Sequence, residues 1–120
     1  MRDIILLLCR NVDLRRLYHE LLERENALVH DVEKIEDVLA MGSVHEYTKM
    51  ALYIDDQPIE EVTLFLFIQK RIRKFSKIRL FLLTSEIYLY RGFISATDVL
   101  CDTLLQDPIQ IANCILEVDK

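Results

Sequence analysis

YTKMALYIDDQPIEE spans Tyr47 to Glu61, and its reading decides the fold. Met50 to Ile54 is a short continuous apolar run that ends abruptly in Asp55-Asp56-Gln57-Pro58. A run of that length, closed by turn formers, predicts a strand buried on both faces. Such a strand belongs to a parallel sheet sandwiched between helices. In open parallel sheets the chemistry lies beyond the carboxyl ends of the strands. Asp55 and Asp56 stand at that end. The same two acids before Gln57-Pro58 are also ordinary turn chemistry, because Asp caps turns and Pro fixes φ.

Working outward, Ile4 to Leu8 (IILLL) is a second apolar strand. Leu14, Leu17, Tyr18, Leu21 and Leu22 then recur at helical spacing, predicting an amphipathic helix over Asp13–Glu25. Ala27 to His30 is a short strand. Val32 to Val44 carries Ile35, Val38, Leu39 and Met41 near helical spacing, and Gly42-Ser43 marks its expected end.

Pro58 to Ser76 is ambiguous. Val62 to Ile68 (VTLFLFI) has strand character and could form a hairpin with the preceding strand. Glu60 and Glu61 at its start, with Lys70, Arg71, Arg73 and Lys74 at its close, suit a helix macrodipole instead. Leu64, Ile68, Ile72 and Phe75 continue at helical spacing, so the segment reads as a helix. Ile78 to Leu83 is the next strand, ending at Thr84-Ser85. Glu86 to Ser95 is a short helix interrupted near Gly92, and Val99 to Cys101 lies in the last strand. Asp107-Pro108 starts the final helix, with Asp as cap and Pro in the first turn. Ile111, Ala112, Ile115 and Leu116 form its buried stripe. The alternation βαβαβαβαβα implies a doubly wound α/β layer with helices on both faces.

Composition narrows the function. The 120 residues suit one domain over 1–120, 52% hydrophobic and 29% charged, with only two Gly and two Pro, hence compact and not disordered. A net charge of −5 argues against general nucleic-acid binding. Ile4 to Cys9 is too short to span a bilayer, so no membrane partner is expected. Cys9, Cys101 and Cys114 lack CxxC spacing and read as reduced core thiols of a cytoplasmic protein. His19, His30 and His45 have no metal-ligand spacing, and neither a glycine-rich phosphate loop nor a GxSxG elbow is present. Nothing supplies an enzyme's nucleophile or cofactor loop.

Five alternating units, with an Asp closing the third strand and a hydroxyl closing the fourth, resemble the receiver domain of bacterial response regulators. The resemblance spans essentially the whole chain and rests on pattern rather than on a highly specific motif. It implies a five-stranded parallel sheet of order 2-1-3-4-5, a phosphoacceptor Asp after the third strand, and an acid pair after the first strand that holds Mg²⁺. It also implies a switch Ser or Thr after the fourth strand and a Lys after the fifth. On this sequence Asp55 falls at the phosphoacceptor position, with Asp56 one residue later. Thr84 falls at the switch position.

The acid pair is replaced by Cys9 and Arg10, and Asp102 or Thr103 stands where the Lys belongs. A thiol and a guanidinium do not hold Mg²⁺, which takes oxygen ligands. Arg10, Asp55 and Asp102 are therefore expected to form a charge-compensated cluster, and the resemblance implies a degenerate pseudo-receiver that works through protein partners without phosphorylation. The alternative is an atypical response regulator, phosphorylated on Asp55 by a histidine kinase and needing Mg²⁺. Aromatic and apolar residues in 64–68 and 87–93, among them Tyr88, Tyr90 and Phe93, suit a protein interface, and a homodimer is plausible from the family. The basic cluster at 70–74 is either a solvated helix end or a dock for an acidic partner.

Overall fold

The computed structural model describes residues 2–72, 75 and 77–117. Its elements alternate in chain order: β1 (Ile4–Leu8), α1 (Val12–Glu23), β2 (Leu28–Val32), α2 (Ile35–Val44), β3 (Lys49–Tyr53), α3 (Ile59–Gln69), β4 (Arg79–Thr84), α4 (Ile87–Tyr90) with a 3₁₀ turn over Arg91–Phe93, β5 (Val99–Asp102) and α5 (Pro108–Leu116). The strands form one five-stranded sheet of order β2-β1-β3-β4-β5, every pair parallel. The topological switch falls between β1 and β3.

The apolar strands carry no polar alternation because both faces are covered. Leu6, Leu8, Met50, Leu52, Leu80 and Leu82 pack on Ile35, Val38, Val62, Phe65, Leu66 and Tyr90 from α2, α3 and α4. The intervening residues Ile5, Leu7, Ala51, Phe81, Leu83 and Cys101 pack on Tyr18, Leu21, Leu22, Ile111, Ala112 and Ile115 from α1 and α5. Each fully buried Leu contributes about 1.5–3 kcal/mol relative to exposure, so the two layers dominate the fold's stability.

Val62–Ile68 is helical, as its charged ends predict: Glu60 and Glu61 sit in the first turn of α3. Its buried stripe differs from the expected one. Val62, Phe65 and Leu66 face the sheet, whereas Leu64 is 58% exposed. A segment apolar nearly all round has little periodicity to orient it. The helix ends at Gln69, so Lys70 is its cap and Arg71 lies beyond it, while Arg73, Lys74 and Ser76 fall outside the described residues. Leu17, expected on the buried face of α1, is half-exposed.

The second helix ends at Val44, as expected, with Gly42-Ser43 in its last turn; it starts only at Ile35, because Val32 belongs to β2. Gly42 is there for space. A Cβ at this position would lie 2.6 Å from Phe75 Cζ and 2.9 Å from Met50 Cε. The last helix starts as expected: Asp107 accepts from Gln110 N–H while Gln110 Oε1 accepts from Asp107 N–H, both at 2.8 Å, and Pro108 occupies the first turn.

Candidate functional site at the carboxyl edge of the sheet

Because all strands run parallel, Leu8, Tyr53, Thr84 and Asp102 end on one edge, which gathers Cys9, Arg10, Asp55, Asp56, Thr84 and Asp102. The β3–α3 loop is its centre. Ile54, 1% exposed, still donates its N–H to Leu83 O, so the chain leaves the sheet only at Asp55.

The two neighbouring carboxylates then reach in opposite directions. Asp55 turns towards β4. Its Oδ1 accepts from Thr84 Oγ1 at 2.7 Å and its Oδ2 from Ser85 N–H at 2.9 Å. Thr84 is fully buried, and its hydroxyl oxygen also accepts from Glu86 N–H at 2.9 Å, which fixes the proton direction towards Asp55.

Asp56 turns towards β1. Its Oδ2 accepts from the main-chain N–H groups of both Arg10 and Asn11 at 3.0 Å, and its Oδ1 from Gln57 Nε2 at 3.3 Å. Gln57, buried, also donates to Glu33 O at 2.9 Å and so ties the β2–α2 loop to the same brace. A carboxylate receiving two main-chain N–H groups just ahead of a helix is a charge-assisted arrangement.

The β1–α1 loop is organised by Asn11, which sequence reading passed over. Asn11 Oδ1 accepts from Leu14 N–H at 2.9 Å and caps α1, with Asp13 in the first turn. An Asn ahead of an amphipathic run was the available signal. Arg15 Nη1 donates to Cys9 O at 2.9 Å and pairs with Glu33 at 3.3 Å.

Cys9 is fully buried, and its thiol donates to Asn11 O at 3.5 Å. Burial, aided by the Asp56 charge, pushes that thiol up to about 12, and Cys9 serves as a packed group of the core. Arg10 is exposed and offers Asp56 its main chain. Among the described residues no ion pair joins the Arg10 guanidinium to Asp55 or Asp102. The expected three-residue charge cluster is therefore not formed. The Arg10 side chain lies exposed at the surface, while Asp55 turns to Thr84 and Ser85 on the β4 side. Asp102 lies opposite Thr84 in register, and its Oδ1 accepts from Leu104 N–H at 2.9 Å, a local turn. A thiol and a cation at Cys9 and Arg10 do not fit a Mg²⁺ site, which needs oxygen donors there.

The expected interface residues separate. Tyr88 is 74% exposed, but Tyr90 is 4% exposed and belongs to the core. Leu64 and Phe67 face outward from α3, with the Arg71 guanidinium 3.8 Å from the Phe67 ring centre. Among the described residues no helix is long and apolar enough to cross a membrane.

No protein-family model matches the sequence, and no curated protein matches it in sequence. Solved structures do match in shape. The chemotaxis response regulator CheY4 of Vibrio cholerae superposes with a TM-score of 0.78 at 12% identity, over 99% of this chain and 100% of that one. The phosphorylated cyanobacterial phytochrome response regulator RcpA gives 0.76 at 15%, over 100% and 98%. This chain has the receiver fold.

A sensor protein from Polaromonas sp. JS666 shares that fold too, at a TM-score of 0.74 and 14% identity over 98% of both chains. In receiver-fold terms, Asp55 and Thr84 occupy the edge at which the resemblance puts acceptor and switch. They are joined directly to each other.

Proposed function

We propose that this receiver-fold chain is a pseudo-receiver: a non-enzymatic, phosphorylation-independent module that acts through protein–protein contacts in bacterial signalling, in the cytoplasm. One observation carries the reading. Both oxygens of Asp55 are engaged by Thr84 and Ser85, so the switch hydroxyl is already drawn in without any phosphoryl group. The absence of an acid pair and of a Lys supports it, since the Cys9 thiol does not hold Mg²⁺ and Asp102 would repel phosphoryl charge. The partner is another protein, with a second copy of the chain as one form of it, and neither nucleic acid nor membrane. Leu64, Phe67 and Tyr88 are among the exposed apolar groups available to it.

The second reading is an atypical response regulator phosphorylated on Asp55 (or Asp56) by a histidine kinase, with Mg²⁺ as cofactor. Its support is that a carboxylate and a hydroxyl, Asp55 and Thr84, both stand at the positions the resemblance gives to acceptor and switch. Amide NMR titration with Mg²⁺ and then beryllofluoride separates the two. The pseudo-receiver gives no shifts around Asp55, Thr84 and Asp102 in a well-folded spectrum. Saturable shifts centred there sink it in favour of the phosphoacceptor.

A further inference from the structure

Cys101 on β5 and Cys114 on α5 meet on the second hydrophobic layer with their sulfurs 4.0 Å apart, the Cys101 thiol donating to Cys114 Sγ. Both are free thiols. Cys101 is fully buried, and Cys114 is partly exposed on the flank of the helix. The geometry points to a redox-modification pair: we propose that a hydroperoxide converts Cys101 and Cys114 into an intramolecular disulfide that fastens α5 to β5.

The roles follow from position. Cys114 is the sulfur an oxidant reaches. Cys101 is held protonated, because burial and the neighbouring Cys114 push its thiol up to about 12. Its S–H aimed at Cys114 stabilises negative charge developing on that sulfur.

With hydrogen peroxide, Cys114 sulfur attacks one peroxide oxygen and the O–O bond breaks. The departing hydroxide takes the thiol proton as water, leaving a sulfenic acid on Cys114. Cys101 sulfur then attacks Cys114 sulfur, the S–O bond breaks, and the Cys101 proton leaves with the hydroxyl as a second water. Two thiols and one peroxide give one disulfide and two waters. Closing from 4.0 Å to a bond of about 2.05 Å requires an approach of about 2 Å. Cys9 is the internal control. It is fully buried, and its thiol bonds Asn11 O rather than another sulfur.

The test uses the reduced full chain, treated with stoichiometric hydrogen peroxide, blocked with N-ethylmaleimide and mapped by mass. Cleavage at Asp102 or Asp107 separates the two cysteines, whereas no Lys or Arg lies between them. The expected product is a Cys101–Cys114 linked pair of peptides, monomeric, reversed by dithiothreitol, with Cys9 unoxidised. In Cys101→Ala the reaction should halt at a dimedone-reactive sulfenic acid on Cys114. In Cys114→Ser no oxidation should occur.

Oxidation of Cys114 to sulfinic acid without a link in the unmodified sequence overturns the proposal. So does a link between two chains, or a Cys101 and Cys114 that stay alkylatable. If Cys101→Ala fails to fold, the map of the unmodified sequence and Cys114→Ser decide alone.

Discussion

At the residue scale, the carboxyl edge is governed by which atom of each residue is used. Arg10 looks in sequence like a cation waiting for Asp55, yet it contributes a main-chain N–H to Asp56 while its side chain lies at the surface. Arg10→Ala should therefore leave urea-denaturation stability unchanged, whereas Asp56→Ala should lower it. The lost acceptor serves two N–H groups, at a cost of about 1–3 kcal/mol. Asp56→Asn, which keeps one carbonyl oxygen, should lose less. Equal losses for Arg10→Ala and Asp56→Ala would contradict this account of the loop.

His19 makes a second residue-scale case. Burial alone would lower its pKa, but hydrogen bonds and charge from Asp31 on β2 and Glu23 on α1 outweigh it and raise the pKa above 6.5. Glu20, Arg15 and Arg16 border the same groove. A raised folded pKa favours the protonated state, so His19 contributes its full stabilisation below pH 6.5 and loses it as pH rises through the folded pKa. The melting temperature of His19→Gln should thus approach that of the unmodified protein above neutrality and fall behind it in mild acid. A difference independent of pH would argue against the pairing.

At the element scale, helices depend on contacts that adjacent residues do not announce. The strands were legible because a doubly covered strand is apolar throughout, and IILLL and IRLFLL have no competing reading. Helix faces were less so. In α3, Leu64 and Phe65 are equally apolar, and only the sheet's position decides which is buried. Gly42 reads as a stop by local rules, yet it serves a ring from Phe75, far along the chain. Gly42→Ala should gain about 1 kcal/mol in helix propensity and lose more to overpacking, about 1–3 kcal/mol. A net fall in chemical-denaturation midpoint is expected. A rise would mean that Met50 and Phe75 give way freely.

Lys49 was likewise unread in the sequence. It is 6% exposed at the opposite edge of the sheet, donating to Ile115 O at 2.6 Å and pairing with Asp3 at 2.9 Å and Glu117 at 3.3 Å. It satisfies a carbonyl in the last turn of α5. Lys49→Met should cost about 1–3 kcal/mol, below the 3–5 typical of a broken buried pair, because Asp3 and Glu117 are exposed enough to rehydrate. Amide exchange should rise first in α5. Uniform loss of protection instead would show that the lysine does not act through that helix.

At the scale of the whole molecule, the order 2-1-3-4-5 gathers five loops on one edge; the alternation of elements predicted the parallel α/β layer, and the family resemblance supplied the order. The site's wiring did not. Asp56 and Asn11 are 45 positions apart, and no local pattern links a turn acid to the cap of another helix. The braces from Asp55 to β4 and from Asp56 to β1 span three adjacent strands, so both carboxylates are already engaged within the protein. For that reason excess Mg²⁺ should leave the melting temperature unchanged. A dose-dependent rise would reveal a cation site and revive the phosphoacceptor reading.

The splayed pair at Asp55 and Asp56 also bears on what a metal site at this edge would cost. Acids placed at Cys9 and Arg10 would bring new negative charge beside a carboxylate that already holds the loop's amides. The first such change would carry a penalty before any cation could reward it. The bonds that keep this loop folded are thus a toll on remodelling it, and any redesign of the edge has to settle with Asp56 first.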